Sequence, residues 1–204
     1  MRKKQPLTDS QAPGSIPQMA HPHPPIDENC DKPSLIRIAQ ELQEENQQLR
    51  KLINIDWLTQ IGNQRAFFQH LRSAIGRQER YGQRVGLILL DIDRFKSVND
   101  EFGHAMGNQL LVGVAEIFRE QLRDSDHSSR IGGDEFALIV IANGPETLET
   151  ITERVRQSIL GLADELPFAP SVTFGYGLAE AGESATDYFD RVDKLLLANK
   201  TAGT

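Results

Sequence analysis

The sequence predicts an α+β domain, a central, mainly antiparallel sheet flanked by helices. Three observations carry this reading. Residues 85–93 (VGLILLDID) form an unbroken apolar run ending in acids, the pattern of a strand buried on both faces. Residues 130–141 read as a tight hairpin, with Gly132-Gly133-Asp134-Glu135 at the turn between two short apolar runs. Around them lie amphipathic stripes, so the order becomes helix, strand, helix, hairpin, helix, strand, helix.

Composition narrows the function classes. Of 204 residues, 39% are apolar and 25% charged, which suits a globular domain with a polar appendage. A net charge of -7 argues against generic binding to nucleic acid or a membrane surface, since both need a basic field. No apolar run is long enough to span a bilayer. Basic residues at the N-terminus are followed by Pro, Gln, Asp and Ser rather than an apolar stretch, so no secretory signal is expected. The single cysteine, Cys30, excludes an intramolecular disulfide. A cytoplasmic location follows as the expectation.

Taken in order, residues 1–33 hold seven of the ten prolines and few large apolar side chains, so this tail is expected to be disordered. Residues 34–55 change character. Leu35, Leu42 and Leu49 fall seven apart, Ile38 and Leu52 fill the second seam, and Glu45 interrupts it. With Ser34 as N-cap this reads as a short coiled coil for dimerisation, against the plainer alternative of one amphipathic helix. The folded domain spans 56–204, and Gly62-Asn63 breaks the helical pattern near its start. A helix over 64–81 carries Phe67, Phe68, Leu71 and Ile75 on one face. After the apolar strand, a second helix holds Leu110, Val114, Ile117, Phe118 and Leu122. Beyond the hairpin come a helix striped by Leu148, Ile151, Val155 and Ile159, an alternating strand over 171–178, and a last helix over about 186–199.

Asp91 and Asp93 end the apolar strand, and Asp134 and Glu135 sit at the hairpin turn, where Gly-Gly is expected to supply positive-φ conformations. If the hairpin lies beside that strand, the carboxylates converge and repel each other unless a cation sits between them. Hard oxygen ligands suit Mg²⁺ (or Mn²⁺) shared with phosphates. Lys96 could face a phosphate as a point charge, and backbone N–H groups at Arg94-Phe95 could hold its oxygens. That chemistry is metal-assisted phosphoryl or nucleotidyl transfer. A set of unrelated surface acids is the competing reading of the same residues.

The chain resembles the GGDEF domain, the diguanylate cyclase family, over roughly residues 56–203. The blocks that carry the likeness stand in family order. They are Asp56-x-Leu58-Thr59 with Asn63-x-Arg65; Asp91-Ile92-Asp93-x-Phe95-Lys96-x-x-Asn99-Asp100; Gly103-His104-x-x-Gly107; Arg130-x-Gly132-Gly133-Asp134-Glu135-Phe136; and Asp193 through Lys200. The resemblance implies a nucleotidyl-cyclase-like palm and a homodimer that condenses two GTP into cyclic di-GMP and pyrophosphate. It implies Asp91, the Ile92 carbonyl and Asp134 as metal ligands, with Glu135 as ligand or general base. Arg94, Phe95, Lys96 and Lys200 would meet the phosphates, and Asn99 and Asn108 the guanine. Arg123-x-x-Asp126 occupies the place of the family's product-inhibition signature, with Arg154 as a second anchor for cyclic di-GMP.

Three positions depart from the family. Asn108 stands where Asp is usual, and an amide can pair with adenine as well as guanine, so relaxed base selectivity is one expectation. Thr204 stands where a phosphate-binding Arg is usual, and Leu197 where Tyr is common. A catalytically weak domain that binds nucleotide or a partner is therefore the alternative to an active cyclase.

Overall fold

The structure is a computed structural model that describes residues 36–43 and 54–202. The chain divides into two units, residues 1–47 and 48–204. In the first, residues 36–43 form a helical segment, α1, with an Arg37–Glu41 ion pair one turn apart at 3.4 Å. The expected disordered tail over 1–33 lies outside the described residues. So do Ser34, Leu35, Glu45, Leu49 and Leu52 of the expected coiled coil, of which α1 covers only the part around Ile38 and Leu42.

The second unit is the α+β domain. Its elements are β1 (Gly62–Asn63), α2 (Gln64–Tyr81), β2 (Val85–Ile92), α3 (Phe95–Phe102), α4 (His104–Gln121), β3 (His127–Arg130), β4 (Glu135–Ile141), α5 (Pro145–Gly161), a 3₁₀ turn (Leu162–Asp164), β5 (Val172–Leu178) and α6 (Ala185–Ala202). The sheet order is β1-β3-β4-β2-β5, with only the β1–β3 pair parallel. Every residue of β2 is buried, because it lies between β4 and β5 and is covered on both faces. Ile88, Leu90 and Ile92 join the core shared with α4 and α5; Val85, Leu87 and Leu89 join the core shared with α2 and α6. This period of two follows from the pleat of a strand.

Several expectations are corrected. Gly62-Asn63 does more than break a helix. It pairs with Ser129 and Arg130 of β3, and the Asn63 side chain caps α2 by accepting the Ala66 N–H at 3.1 Å. The segment after β2 forms a short helix, α3, that the element order above does not contain, and α4 begins at His104. The first arm of the hairpin, His-Ser-Ser-Arg, is polar rather than apolar, since β3 lies towards the sheet edge and buries only Ser129. Neither Gly132 nor Gly133 has positive φ; among the described residues that conformation falls at Gln60, Gly82, Arg94, Gly103 and Gly182. The loop between β3 and β4 is four residues long, so a two-residue primed turn is not required. Gly132 meets a different demand. The Glu135 carboxylate folds over it, and a Cβ there would collide with that side chain.

Two local devices hold the elements that carry the site. At β5, a Cβ on Gly175 would stand 2.5 Å from the Leu196 amide nitrogen and 2.6 Å from the Val192 carbonyl. Glycine thus lets α6 lie close against the sheet, where Asn199 Nδ2 also donates to the Phe174 carbonyl at 2.8 Å. At the hairpin, Arg130 Nη2 and Nε donate to the Gly133 carbonyl at 2.6 and 3.2 Å, while Nη1 reaches Asp56 Oδ1 at 3.3 Å. The same Asp56 oxygen accepts the Thr59 hydroxyl at 2.6 Å and its N–H at 2.9 Å. Thr59 in turn offers its carbonyl to Arg119 on α4. The start of the domain, the turn and α4 are thereby tied through one carboxylate.

Two outcomes are expected. Gly175→Ala should lower stability by about 1–3 kcal/mol through overpacking against α6, measured by urea unfolding; an unchanged midpoint would contradict the close approach. Burial pushes the Asp56 carboxyl up, but the Thr59 hydroxyl and N–H and the Arg130 guanidinium outweigh it and hold it below its ordinary value. A depressed carboxyl contributes stability that is full above the ordinary carboxylate range and is lost as pH falls through its folded value. Asp56→Asn should therefore melt lower than wild type at neutral pH, with the gap closing below about pH 4.

Candidate active site

The pleat that sorts the core also aims the acids. Asp91 continues the α2/α6 face of β2 after Val85, Leu87 and Leu89, and Glu135 opens the same face of β4 ahead of Ala137 and Ile139. The β2–β4 register makes Asp91 and Glu135 direct cross-strand partners. The Lys200 ammonium reaches this point from the last turn of α6 and meets Asp91 Oδ2 at 2.5 Å. Asp91 is 4% exposed, and its other oxygen, Oδ1, is buried with no hydrogen-bond partner among the described residues. An unsatisfied buried polar oxygen costs about 1–3 kcal/mol, so this is an oxygen that a bound cation could satisfy.

Burial pushes the Asp91 carboxyl above its ordinary value, the Lys200 hydrogen bond opposes this, and the charge of Asp134 adds to it. Glu135 is pushed up by burial, then by the charges of Asp91, Asp134 and Asp193. Among the described residues, the rim thus carries more negative charge than the Lys200 ammonium balances. Its donors are all hard carboxylate oxygens, which fit a cation of the Mg²⁺ or Mn²⁺ type. No cluster of three or more Asp, Glu, His or Cys side chains stands ready-made around such an ion among the described residues, and Lys200 is the cation at Asp91.

The neighbouring residues separate into groups. Asp134 lies in the turn, with its carbonyl accepting the Ile92 N–H at 3.2 Å, which ties the turn to the end of β2. Asp93 is drawn to β5, accepting the Thr173 hydroxyl at 2.7 Å and donating its N–H to Ser171. Arg94 is the N-cap of α3 in the left-handed region (φ 54°, ψ 29°), a conformation that costs a non-glycine residue about 1–2 kcal/mol. This strained step turns the end of β2 into α3, whose leading N–H groups have no intrahelical acceptors. Phe95 is half-buried in the first turn of α3, and Lys96 is exposed beside it. Asn99 lies against Gly107 of α4, and Asn108, the next residue along, is exposed. Both amides therefore stand at the α3–α4 junction.

Away from the rim, Asp126 closes a turn by accepting the Arg123 N–H at 3.1 Å, and its own N–H bonds the Arg123 carbonyl at 2.9 Å. Arg154 on α5 donates to the Gln121 carbonyl at 3.0 Å and to its side-chain oxygen at 3.2 Å. Arg123, Asp126 and Arg154 thus gather at the C-terminal end of α4.

Sequence reasoning did not assign two parts of this architecture. Asp56, Thr59 and Arg130 belong to the motif blocks but carry no role in the sequence reading; a charged residue two positions before Gly-Gly is the available signal. A cavity of about 840 Å³ also opens between α3 and residues 168–173, with Arg94, Arg156 and Lys200 among its walls. Arg156 offered no signal, because it is one of several charged residues along α5.

Comparison with known proteins bears on this geometry. The family described as "Diguanylate cyclase, GGDEF domain" matches residues 53–204. Diguanylate cyclase DgcS of Shewanella oneidensis is 34% identical over 148 residues, covering 72% of this chain and 50% of that protein. Diguanylate cyclase TpbB of Pseudomonas aeruginosa is 37% identical over 142 residues, covering 67% and 32%. This chain thus spans about half the length, or less, of these curated relatives. Among solved structures, the coiled coil and GGDEF domain of DgcB from Caulobacter crescentus, in complex with c-di-GMP, superposes with a TM-score of 0.75 at 29% identity, covering 84% of this chain and 93% of that one. Diguanylate cyclase SiaD of Pseudomonas aeruginosa, in complex with its activator SiaC, gives 0.73 at 32% identity, covering 83% and 66%. The family match covers most of the chain, and the chain belongs to the GGDEF domain family of diguanylate cyclases.

Proposed function

We propose that this chain is a divalent-metal-dependent diguanylate cyclase that works as a homodimer, condensing two GTP into cyclic di-GMP and two pyrophosphates. The observation that carries the reading is the Asp91–Glu135 pair, with Asp134 beside it and one buried Asp91 oxygen left unsatisfied. Asp91, Asp134 and the Ile92 carbonyl would hold the metal, with Glu135 as a further ligand or as the base for the hydroxyl proton. When bound, Mg²⁺ or Mn²⁺ supplies Lewis-acid polarisation of the phosphates and eases loss of the hydroxyl proton. Lys200 can turn from Asp91 to the phosphates, while Lys96 and the leading N–H groups of α3 approach them from the other side. Asn99 and Asn108 at the α3–α4 junction would face the base.

In each half-reaction the 3′-oxygen of one GTP bonds the α-phosphorus of the other. The bond from that phosphorus to the β-bridging oxygen breaks, and its electron pair leaves on pyrophosphate. One domain binds one GTP, so the chemistry needs two domains facing each other, which is the use we assign to a coiled coil over 34–55. The Arg123–Asp126 turn with Arg154 offers guanidinium and carboxylate groups suited to a guanine dinucleotide, and we assign it to product inhibition.

The test is incubation of the purified protein with Mg²⁺ and GTP, ATP or both, with products identified by mass. Cyclic di-GMP should form, and Asp134→Ala should reduce it by about 100-fold or more without altering the fold seen by circular dichroism. No product from any mixture would remove the cyclase reading in favour of a nucleotide-binding module. Asn108 supports a finer reading, relaxed base selectivity, because its amide can pair with adenine as well as guanine. Asn108→Asp should then raise the preference for GTP over ATP by about tenfold. Equal GTP turnover by both proteins, with ATP used by neither, would exclude it.

A further inference from the structure

The cavity beside α3 is distinct from the α3–α4 junction assigned to the base. On α3, Ser97, Val98, Glu101 and Phe102 line the cavity, spaced at i, i+1, i+4 and i+5, and Arg94 joins them from the N-cap. One helix face is formed by such spacing, whereas Asn99 points to Gly107 on another. Ile92, at the end of β2, and Lys200, which meets Asp91, also line it, so the cavity is continuous with the carboxylate rim. Arg156 reaches it from α5. That guanidinium is fixed in place: Nη1 donates to the Val172 carbonyl at 2.8 Å, Nε lies 3.6 Å from Glu153, and its carbon sits 4.8 Å from the Phe174 ring centroid. A guanidinium carries five N–H groups, so this anchoring leaves N–H groups for a ligand.

Three cations from three separate helices thus share one cavity: Arg94, Arg156 and Lys200. Of its two acids, Asp93 is engaged by the Thr173 hydroxyl. Glu101 stands two helical turns beyond Arg94, roughly 10 Å along the axis, at the far end from the rim. Three cations against two acids line this cavity, and its guanidinium groups suit a multiply charged phosphate chain, which Arg grips with a planar fork.

We propose that Arg156 is a further substrate-binding residue: the rim end of this cavity receives the β- and γ-phosphates of GTP, and Arg156 holds them as the pyrophosphate departs. This rests on the diguanylate cyclase reading above. It adds a guanidinium, from α5, that the family resemblance did not assign. Arg156 stabilises the negative charge that collects on the leaving oxygen when the bond from the α-phosphorus breaks.

The experiment is calorimetric titration of the full chain, with Mg²⁺, by two probes: guanosine 5′-(β,γ-imido)triphosphate and GMP. Arg156→Gln should weaken the triphosphate analogue by about tenfold or more, the loss of one charge-assisted contact, and leave GMP within about twofold. Arg156→Lys should recover part of that loss. Arg156→Gln also loses the Val172 anchor, so Ala169→Glu provides a second arm. Ala169 is an exposed wall residue, and a carboxylate there repels the phosphates without removing any bond. It should reproduce the selective loss at an unchanged melting temperature. A folded Ala169→Glu protein in which both probes keep their affinity, or lose it equally, would overturn the proposal. Failure of wild type to bind either probe would instead sink the cyclase reading together with this one.

Discussion

The structure depends on one electrostatic constraint, a carboxylate held at the end of a strand buried on both faces. Asp91 follows directly from the apolar run of β2 and is nearly as buried as the leucines before it. A charge in that position needs compensation, because removing a carboxylate from water costs several kcal/mol after relaxation. The compensation comes from 109 residues later in the chain, where Lys200 reaches across from α6. It is incomplete, since Asp91 Oδ1 finds no donor among the described residues and Glu135 stands across the strand pair. The site therefore keeps surplus negative charge around a buried carboxylate oxygen.

The surrounding architecture follows from holding that arrangement still. Gly175 permits α6 to approach β5 closely enough for Lys200 to arrive at the rim. Arg130 grips the Gly133 carbonyl and Asp56, so the turn bearing Asp134 cannot drift from the end of β2. The Ile92 N–H bond to the Asp134 carbonyl fixes the same distance from the other side. Arg94 accepts a left-handed backbone so that α3 can begin within two residues of the strand, which places its first N–H groups at the rim. The left-handed Arg94 and the buried Asp91 each cost free energy, while the two cores on either side of the sheet supply the stabilisation that offsets them.

How much of this was legible in the sequence differed by residue. The apolar run of β2 and the acids that end it were legible, because a continuous apolar run of strand length, rich in Val, Ile and Leu, marks a strand buried on both faces. The hairpin was legible as a hairpin, yet its mechanism was misread: the glycine at 132 makes room for the Glu135 side chain instead of adopting positive φ. The polar strand β3 was not legible as such, since an arm near the sheet edge carries no apolar signature. The helix α3 was also missed. Its boundary is set by a left-handed arginine, which no local preference announces.

Local physics in the sequence by itself determined the α+β class, the mainly antiparallel sheet, the spans of the long helices and the identity of the acids at the strand end and the turn. Side-chain period and turn chemistry act over a few residues, so they can be read along the chain. Only the tertiary structure decided which acid faces which, that Lys200 is the cation at Asp91, that Arg130 and Asp56 hold the turn, and that Arg156 shares a cavity with Arg94 and Lys200. Those relations join residues dozens of positions apart. They depend on strand register and on how closely a helix can approach the sheet, and neither is written in any short stretch of sequence.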